Sequence, residues 1–498
     1  MRATPRLLIA GLSGDAGKTA VTLSLLGALR KRGMTIAPFK KGPDYIDAAW
    51  LGWAADTVCR NLDTYMVPSE IVRARFVQAS SRAQLALIEG NRGLFDGQDT
   101  DGTHSSAALS RLLAAPVVLV LNATKATRTL AALVKGCMDF EAGVTVAGVI
   151  LNRVAGSRHE TIIRSTIEKH CGLPVLGALP KLGSDSALLP HRHLGLVPPT
   201  ESNECDEIKD RLISLAEHHL DLDALVSIAG RVDPLPASAI ASDVRPETES
   251  ATIGVFRDSV FTFYYPENLE ALEAAGAKLV TIDSLTDARL PEIDGLYIGG
   301  GFPETQLEAL VQNDRLMQSV RAAAEAGLPI YAECGGLIYL AKTLHWGDRS
   351  HEMAGVFDID VSMHRKPCGH GYAVMTVDAD NPFFEIGAEL RGHEFHYTGV
   401  TQSAEEATTC LTVGTGVGVG DGRDGLVYRN CFASYMHVHA DGVPSWAPGV
   451  VRAAARYRQR RLAASATDEE NASESEPAIG RNAKENRYAA GPRLARTL

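Results

Sequence analysis

The sequence lacks an apolar run of the roughly 20 residues that a membrane-spanning helix needs. Its most apolar stretch, LLAAPVVLVL at 112–121, is half that length, contains a proline and predicts a buried strand. The N-terminal apolar stretch ends after a few residues at the polar segment SGDAGKT, unlike a secretory signal. We therefore expect a cytoplasmic protein without a membrane partner.

The sequence also lacks an excess of positive charge and any cysteine pair with metal-ligand spacing. The net charge of −11 argues against nucleic acid as the main partner, because phosphate backbones need a basic surface. The eight cysteines are scattered and form no CxxC motif, which is typical of buried thiols in a reducing compartment. Cys334 is the exception, because of its setting in the sequence.

Short β-like runs alternate with helical stretches in two regions of the 498 residues, which predicts two α/β domains. In the first region, near-continuous apolar strands predict a parallel sheet with helices on both faces. We expect domains over 1–230 and 251–460, a linker over 231–250 that is rich in Pro, Ser and acidic residues, and a disordered tail over 461–498. The predicted strands are 6–12, 35–42, 84–90, 116–123, 146–154 and 174–180 in the first domain, and 251–258, 277–283, 295–301, 328–334, 371–377 and 431–439 in the second.

The segment GLSGDAGKT at 11–19 follows an apolar strand and precedes a predicted helix. Small residues let backbone N–H groups approach phosphate oxygens, and the positive end of the helix dipole lies beside them. Five residues separate Gly11 from Gly17, one more than in the common P-loop, but Lys18 can still reach phosphate oxygens and Thr19 can ligate Mg²⁺. The predicted ATP site consists of Gly11, Gly14, Asp15, Ala16, Gly17, Lys18 and Thr19, with Asn152 at a later strand end as the candidate for the base.

Carboxylates follow the neighbouring predicted strands. Asp44 and Asp47 come after the second strand, Glu89 ends the third, and Asp96 lies nearby. Because parallel strands end at one edge of a sheet, where ligands bind, these side chains should face the phosphate loop. We predict Thr19, Asp47 and Glu89 as ligands of a magnesium ion.

The segment LPIYAECGGLIYL at 328–340 places Cys334 between an apolar strand and two glycines. A tight strand-to-helix turn exposes a nucleophile, and we expect the helix N-terminus to lower the pKa of the thiol. Gly335 can donate its N–H to an oxyanion, and Gly300 and Gly301 of YIGGGFPE can complete that hole. A thiol nucleophile needs a base, for which His437 of ASYMHVH is the candidate.

Two further histidine patterns lead to no assignment. His439 should face the same side of the last strand as His437, because side chains two residues apart share a face. The stretch RGHEFHYT at 391–398 contains His393, Glu394 and His396, but nothing in the sequence supplies the other ligands of a metal site.

The two predicted sites have complementary chemistry. A thiol site can release ammonia from glutamine, and an ATP site can activate a carboxylate as an acyl phosphate that ammonia attacks. Water would destroy the activated acid, so we expect a dry path between the sites.

Up to about residue 460, the chain resembles the cobyrinate a,c-diamide synthases, which are glutamine-dependent tetrapyrrole amidotransferases. The matching stretches are GLSGDAGKT, PFKKGPDYID, IEGNRGLFDG, RHLGLVP, YIGGGFPE, AECGGLIYL, RGHEFHYT and ASYMHVH. The resemblance implies a P-loop synthetase domain similar to dethiobiotin synthetases, followed by a class I glutamine amidotransferase domain.

The resemblance also implies roles for residues. Cys334 would be the glutaminase nucleophile and His437 its base. The cofactors would be Mg²⁺ and ATP, and the partners a tetrapyrrole dicarboxylate, glutamine and a second copy of the chain in a homodimer. The substrate candidates are Asp44, Tyr45, Asp47, Arg92 and Asp96.

Three alternatives stay open at this point. The motif NRG at 91–93 differs from the more usual VMG, so Arg92 could meet another macrocycle, such as hydrogenobyrinate or nickel-sirohydrochlorin. A cobyric acid synthase would amidate other side chains of the corrin. A partition-type ATPase switch is remote, because such proteins have a lysine at the position of Ser13 and no cysteine elbow. The acid that orients His437 is not identified, since His439 stands where other triad glutaminases have Glu.

Overall fold

The computed structural model describes residues 3–181, 189–192, 195–201, 205–236, 250–403 and 408–474. Within these residues the chain forms two α/β units, each built on its own large sheet. Most of the predicted linker, residues 237–249, and the last part of the predicted tail, residues 475–498, lie outside the described residues.

The first unit follows the alternation of strands and helices expected from the sequence. Its strands are β1 (Arg6–Gly11), β2 (Ile36–Lys41), β3 (Arg60–Leu62), β4 (Leu85–Glu89), β5 (Val117–Asn122), β6 (Val146–Val154), β7 (Val175–Pro180), β8 (His191–Arg192) and β9 (Gly195–Leu196). Its α-helices are α1 (Lys18–Lys31), α2 (Tyr45–Ala55), α3 (Ser69–Ser80), α4 (Ser106–Leu112), α5 (Thr129–Phe140), α6 (Ser157–Cys171), α7 (Cys205–His219) and α8 (Leu222–Ala229).

The sheet of the first unit is parallel, with the strand order β3-β2-β4-β1-β5-β6-β7. Alternate residues of β1 enter two different cores: Leu8 and Ala10 join one cluster, and Leu7 and Ile9 join the other. This is the burial expected of a strand that helices cover on both faces. In the register, Glu89 lies between Ile9 of β1 and Lys40 of β2, so the carboxyl ends of these strands meet.

The second unit has a mixed sheet. Its strands are β10 (Ala251–Phe256), β11 (Ala277–Ile282), β12 (Gly295–Ile298), β13 (Ile330–Glu333), β14 (Thr343–Trp346), β15 (Arg349–Glu352), β16 (Ile359–Met363), β17 (Gly369–Val377), β18 (Glu389–His396), β19 (Thr398–Ser403), β20 (Thr408–Thr415), β21 (Arg423–Tyr428), β22 (Cys431–Ser434) and β23 (His437–Val438). Its α-helices are α9 (Pro266–Ala274), α10 (Leu307–Gln312), α11 (Asp314–Glu325), α12 (Gly335–Leu340) and α13 (Trp446–Glu474).

The main sheet has the order β11-β10-β12-β13-β22-β21-β20-β17-β18-β23. The part from β11 to β22 is parallel, and the remaining pairs are antiparallel. The strand predicted over 431–439 is wrong as one element, because it is divided into β22 and β23. Only two residues separate β22, which pairs with β13, from β23, which pairs with β18 at the end of the strand order. The end of the sheet therefore curls back toward β13, and His437 of β23 lies beside Glu333 of β13.

The predicted tail is wrong at its beginning, because helix α13 continues from Trp446 to Glu474. Arg461 lies in this helix and forms ion pairs with Glu292 and Asp294 of the second unit. Alanines and arginines, which favour helix, extend α13 past the point where apolar periodicity ends.

Polar contacts join the two units. Arg60 forms a 2.8 Å ion pair with the buried Glu267, and Arg75 forms a 2.8 Å pair with Asp441. The Tyr265 hydroxyl donates to the Pro43 carbonyl at 3.0 Å. These contacts hold the carboxyl end of the first sheet against the second unit. In the part of the chain that the structure describes, no helix is long and apolar enough to cross a membrane.

Candidate active sites

The phosphate loop has the geometry that its sequence predicts. Strand β1 ends at Gly11, a 3₁₀ turn covers Gly14–Ala16, and α1 begins at Lys18. Gly17 has φ of 92°, and a Cβ there would lie 2.0 Å from Asn152 Nδ2, so the position accepts only glycine. The loop therefore presents backbone N–H groups at the start of a helix, as anion binding requires.

Two side chains hold the loop. The buried Lys18 ammonium donates to the carbonyls of Ser13 (2.9 Å) and Arg92 (2.8 Å). Burial, and next the charge of Lys40, lowers the pKa of Lys18. Asn152 Nδ2 donates to the Ala16 carbonyl at 2.9 Å, so Asn152 supports the loop, and its contact with a base stays a prediction.

Lys40, which the sequence analysis missed, binds the predicted carboxylates. Its Nζ lies 2.5 Å from Asp47 Oδ2 and 2.6 Å from Glu89 Oε1. The same Glu89 oxygen accepts from Thr19 Oγ1 at 2.9 Å. The structure thus brings together Thr19, Asp47 and Glu89, and the double lysine in PFKKGPDYID was the available sequence signal for the fourth member.

Burial shapes the charges of this cluster. It disfavours charged Lys40, but Asp47 and Glu89 outweigh that cost and raise the pKa of Lys40. Burial also raises the pKa of Glu89. Burial and the neighbouring Asp47 carboxylate raise the pKa of Asp44 to about 6. Asp44 in addition caps α2, since its Oδ1 accepts from the Asp47 N–H at 2.8 Å.

The donor set fits a hard cation that phosphates also ligate. Glu89 Oε2 is buried without a hydrogen-bond partner among the described residues, and Thr19 Oγ1 lies beside the other oxygen. Within those residues no group of three or more His, Cys, Asp or Glu side chains has the geometry of a metal site. Mg²⁺ commonly takes one or two protein oxygens and completes its shell with phosphate and water. Magnesium therefore stays a proposal.

The cysteine lies on a sharp turn between β13 and α12. Cys334 has φ of 47° and ψ of −96°, an unusual backbone conformation for a residue with a side chain. Its Sγ lies 3.8 Å from the Phe395 carbonyl, and the residue is 4% exposed. A strained strand-to-helix turn of this kind is the setting of a nucleophile elbow.

The predicted oxyanion glycines lie beside the elbow. A Cβ on Gly335 would be 3.0 Å from the Gly301 backbone nitrogen, so these two backbones are close. Gly301 has φ of 156°, and a Cβ there would lie 1.8 Å from the Val260 carbonyl oxygen. Gly300 accepts from the Phe263 N–H at 3.0 Å through its carbonyl. A side chain at Gly300, Gly301 or Gly335 would therefore collide with its neighbours. The backbones of Gly335 and Gly301 approach each other beside Cys334.

His437 borders the same turn. A Cβ on Gly300 would lie 2.4 Å from His437 Cε1 and 3.3 Å from Nε2. On the other side of the ring, Nδ1 lies 3.4 Å from Glu333 Oε2. His439, in contrast, lies 3.6 Å from Glu267, so the two histidines have different partners. Glu333 was missed from the sequence, although it directly precedes Cys334.

The expected lowering of the thiol pKa is wrong, since the pKa of Cys334 is raised. Burial, and next the Glu304 carboxylate, raises the pKa of Cys334, and these effects outweigh the Gly335 N–H that favours thiolate. The stretch 391–398 forms no metal site: His393 stacks on His437, whereas His396 stacks on Tyr435 and Glu394 accepts from the backbone of Val417 and Gly418.

A cavity of about 510 Å³ lies between the two sites, and both units line it. From the first unit come Asp44, Tyr45, Arg92 and Asp96, which were predicted as substrate residues, and from the second comes His437. The ring of Tyr45 stacks on Phe263 at 5.0 Å and meets the edge of His437 at 5.3 Å. Asp47, which was also predicted as a substrate residue, pairs with Lys40 and does not line this cavity. A macrocycle edge in this cavity would lie near both sites.

Two family models match the chain. The model described as the CobQ/CobB/MinD/ParA nucleotide binding domain covers residues 7–193, and the model of the CobB/CobQ-like glutamine amidotransferase domain covers 252–444. The first contains the phosphate loop and the second contains Cys334 and His437. The matches therefore coincide with the two units of the fold.

Relatives that carry a function in their name align over most of the chain. A cobyrinate a,c-diamide synthase of Magnetococcus marinus is 43% identical, with 90% of this chain and 97% of the relative covered. The enzyme of the same name from Archaeoglobus fulgidus is 38% identical, with 87% and 94% covered. Among solved structures, a putative GMP synthase subunit from Thermoplasma acidophilum covers 42% of this chain and 97% of its own at 18% identity, with a TM-score of 0.31.

Proposed function

Since this chain belongs to the cobyrinate a,c-diamide synthase family, we propose that it amidates the a and c acetate carboxylates of a cobyrinate-type corrin in cobalamin biosynthesis. The enzyme is a carbon–nitrogen ligase that takes nitrogen from glutamine. The observation that carries the proposal is the cavity that Tyr45 and Arg92 of the nucleotide unit share with His437 of the amidotransferase unit.

The synthetase step would proceed through an acyl phosphate. An acetate oxygen attacks the γ-phosphorus of ATP, ADP leaves, and ammonia then attacks the acyl carbon and expels phosphate. Lys18 would neutralise charge on the transferred phosphoryl group, and Thr19, Asp47 and Glu89 would hold magnesium, which supplies further charge neutralisation when bound. Asp44 and Arg92, which line the cavity, would orient the acceptor.

The glutaminase step would use the cysteine elbow. His437 accepts the thiol proton while Cys334 Sγ attacks the glutamine amide carbon, and the tetrahedral oxyanion is held by N–H groups of Gly335 and the Gly300–Gly301 turn. Collapse of this intermediate releases ammonia, with His437 returning the proton. Water then hydrolyses the thioester to glutamate and free Cys334.

Ammonia would reach the acyl phosphate through the cavity. His437 lies at its wall, and the Tyr45–Phe263 stack shields this part of the cavity with aromatic surface. An enclosed passage protects the activated acid from water. The synthetase and glutaminase activities correspond to the proposed domains 1–230 and 251–460.

The decisive experiment is incubation of the full chain with ATP, Mg²⁺ and glutamine against a panel of cobyrinate, hydrogenobyrinate and nickel-sirohydrochlorin, followed by mass spectrometry. Each amidation replaces OH by NH₂ and lowers the product mass accordingly. Two such steps on cobyrinate support the proposal, and turnover of another macrocycle alone would reassign the substrate. Light scattering and localisation of a tagged chain would test the proposed homodimer and cytoplasmic location.

A further inference from the structure

We propose that Glu333 is the acid that positions His437 for glutamine hydrolysis. This inference rests on the proposed roles of Cys334 and His437. Glu333 ends β13 and directly precedes the nucleophile. Its Oε2 lies 3.4 Å from His437 Nδ1, and both side chains are buried.

Three hydrogen-bond donors contact the buried side chain of Glu333. Its oxygens accept from the Tyr331 hydroxyl at 3.2 Å, from the Tyr297 hydroxyl at 3.4 Å and from the Val438 N–H at 3.4 Å. Tyr331 and Glu333 are two residues apart on β13, so their side chains share a face. Hydrogen-bond donors therefore surround a carboxylate that would otherwise be costly to bury.

The contact between Glu333 and His437 selects one tautomer. An ionised carboxylate only accepts hydrogen bonds, so the ring proton must be on Nδ1 when the ring is neutral. Nε2 then keeps its lone pair, and it lies 3.3 Å from the point that a Cβ on Gly300 would occupy, with Cε1 of the ring closer at 2.4 Å. The contact with Glu333 thus leaves Nε2 free to act as a base beside the turn that contains Gly300.

Other titratable groups also face His437, but they do not fill this role. His393 stacks on the ring at 5.0 Å, and burial lowers its pKa, so it is neutral. Glu394 uses its two oxygens to accept from Val417 and Gly418, and Tyr45 meets the ring with its edge. Among the described residues, Glu333 supplies the one carboxylate oxygen that hydrogen-bonds the His437 ring.

The position that holds Glu in other triad glutaminases is occupied here by His439, which faces Glu267. A glutamate at that position cannot orient His437 in this chain, because the chain has none there. The acid thus comes from β13, the strand that precedes Cys334, and not from the residues that follow His437.

The test compares glutamine hydrolysis and ammonium-dependent amidation in the full chain carrying Glu333→Gln. We expect kcat for glutamine to fall by about 10³-fold or more, as when the orienting acid of a related triad is replaced by its amide, with a nearly unchanged KM and normal amidation from ammonium salts. The carboxylate stabilises the imidazolium ion, so its loss should also move the rising limb of the pH profile of kcat/KM to lower pH. Loss of packing alone would not move that limb.

Three further variants separate failure of this inference from failure of the proposed function. Tyr331→Phe removes one donor to Glu333 and leaves the Glu333–His437 contact, so it should lower kcat by less than about tenfold. Cys334→Ala should abolish glutamine use. Wild-type kcat and pH profile in Glu333→Gln would overturn the inference, whereas glutamine use by Cys334→Ala would overturn the proposed function. If Glu333→Gln also loses ammonium-dependent activity, the same measurements on Glu333→Asp decide, and a wild-type glutamine kcat there contradicts the inference.

Discussion

The nucleotide site and the thiol site occupy similar places in their sheets but differ in charge. Each lies at the carboxyl ends of parallel strands, beside the start of a helix. The nucleotide edge pairs cations with anions, with Lys40 between Asp47 and Glu89. The thiol of Cys334 is buried near the carboxylates of Glu304 and Glu333, which oppose its ionisation.

This difference matches what each proposed reaction demands. Phosphoryl transfer moves a highly charged group, so the site must supply cations before the substrate arrives. A thiolate reacts with oxidants and other electrophiles, and burial, which raises the pKa of Cys334, disfavours that form. The start of a helix therefore lies beside charged side chains at the nucleotide site and beside a thiol with a raised pKa at Cys334.

Among the variants of the two sites, Lys18→Ala should lower the amidation rate most. Loss of the cation that we propose neutralises the transferred phosphoryl group should lower amidation by about 10³-fold or more from either nitrogen source. Lys31→Ala, on the exposed part of the same helix, is the matched control and should behave as wild type. Ammonium-dependent amidation that survives in Lys18→Ala would show that ATP binds elsewhere.

Glu89→Gln should have the next largest effect. The neutral amide cannot balance magnesium and Lys40, so we expect the apparent affinity for Mg²⁺ in amidation to fall about 10- to 100-fold. Titration of activity with Mg²⁺ measures this, with Glu70→Gln on α3 as the control. Unchanged magnesium dependence would remove Glu89 from the metal site.

Asp44→Asn tests the charge at the nucleotide site through the free energy of unfolding. The raised pKa of Asp44, about 6, means that the folded protein takes up a proton as pH falls through 6, before the unfolded chain does at its ordinary value near 4. The ionised Asp44 carboxylate therefore lowers the free energy of unfolding of wild type at neutral pH. As the pH falls from 7, protonation of Asp44 removes this destabilisation.

Asn keeps an oxygen to cap α2 but carries no charge. We expect the variant to be about 1–2 kcal/mol more stable than wild type near pH 7, with this advantage lost as pH falls toward about 4. Urea unfolding at several pH values measures the difference. The His396 ring, whose pKa burial lowers to about 4, contributes equally to both proteins and cancels. A difference that does not depend on pH would contradict the charge argument.

The smallest effect should come from Arg92→Met. Arg92 is exposed at the cavity, so a single ion pair with a macrocycle carboxylate should be worth about a two- to fivefold change in KM for that substrate. The KM for ATP should stay the same, and Arg32→Met on the surface provides the control. An equal change in both constants would place Arg92 at the nucleotide.

The sequence reveals the features that depend on neighbouring residues. Strands β1, β4 and β5 follow from apolar runs, and the phosphate loop and cysteine elbow follow from short glycine motifs. The contact between Glu333 and His437 joins residues 104 apart and depends on the curl of a mixed sheet, which local patterns do not specify. The stack of Tyr45 on Phe263 depends on how two units dock. The thiol pKa was predicted wrongly because burial by distant residues outweighs the local helix start.

The most direct test of the division of labour is the amidation rate of Cys334→Ala, measured side by side with glutamine and with ammonium salts. Cys431→Ala, a buried cysteine on the neighbouring strand β22, serves as the control and should retain both activities. We expect Cys334→Ala to lose glutamine-dependent amidation and to keep the ammonium-dependent rate of wild type, because the thiol takes no part in activating the carboxylate. Loss of both activities in the folded variant, or retention of both, would contradict it.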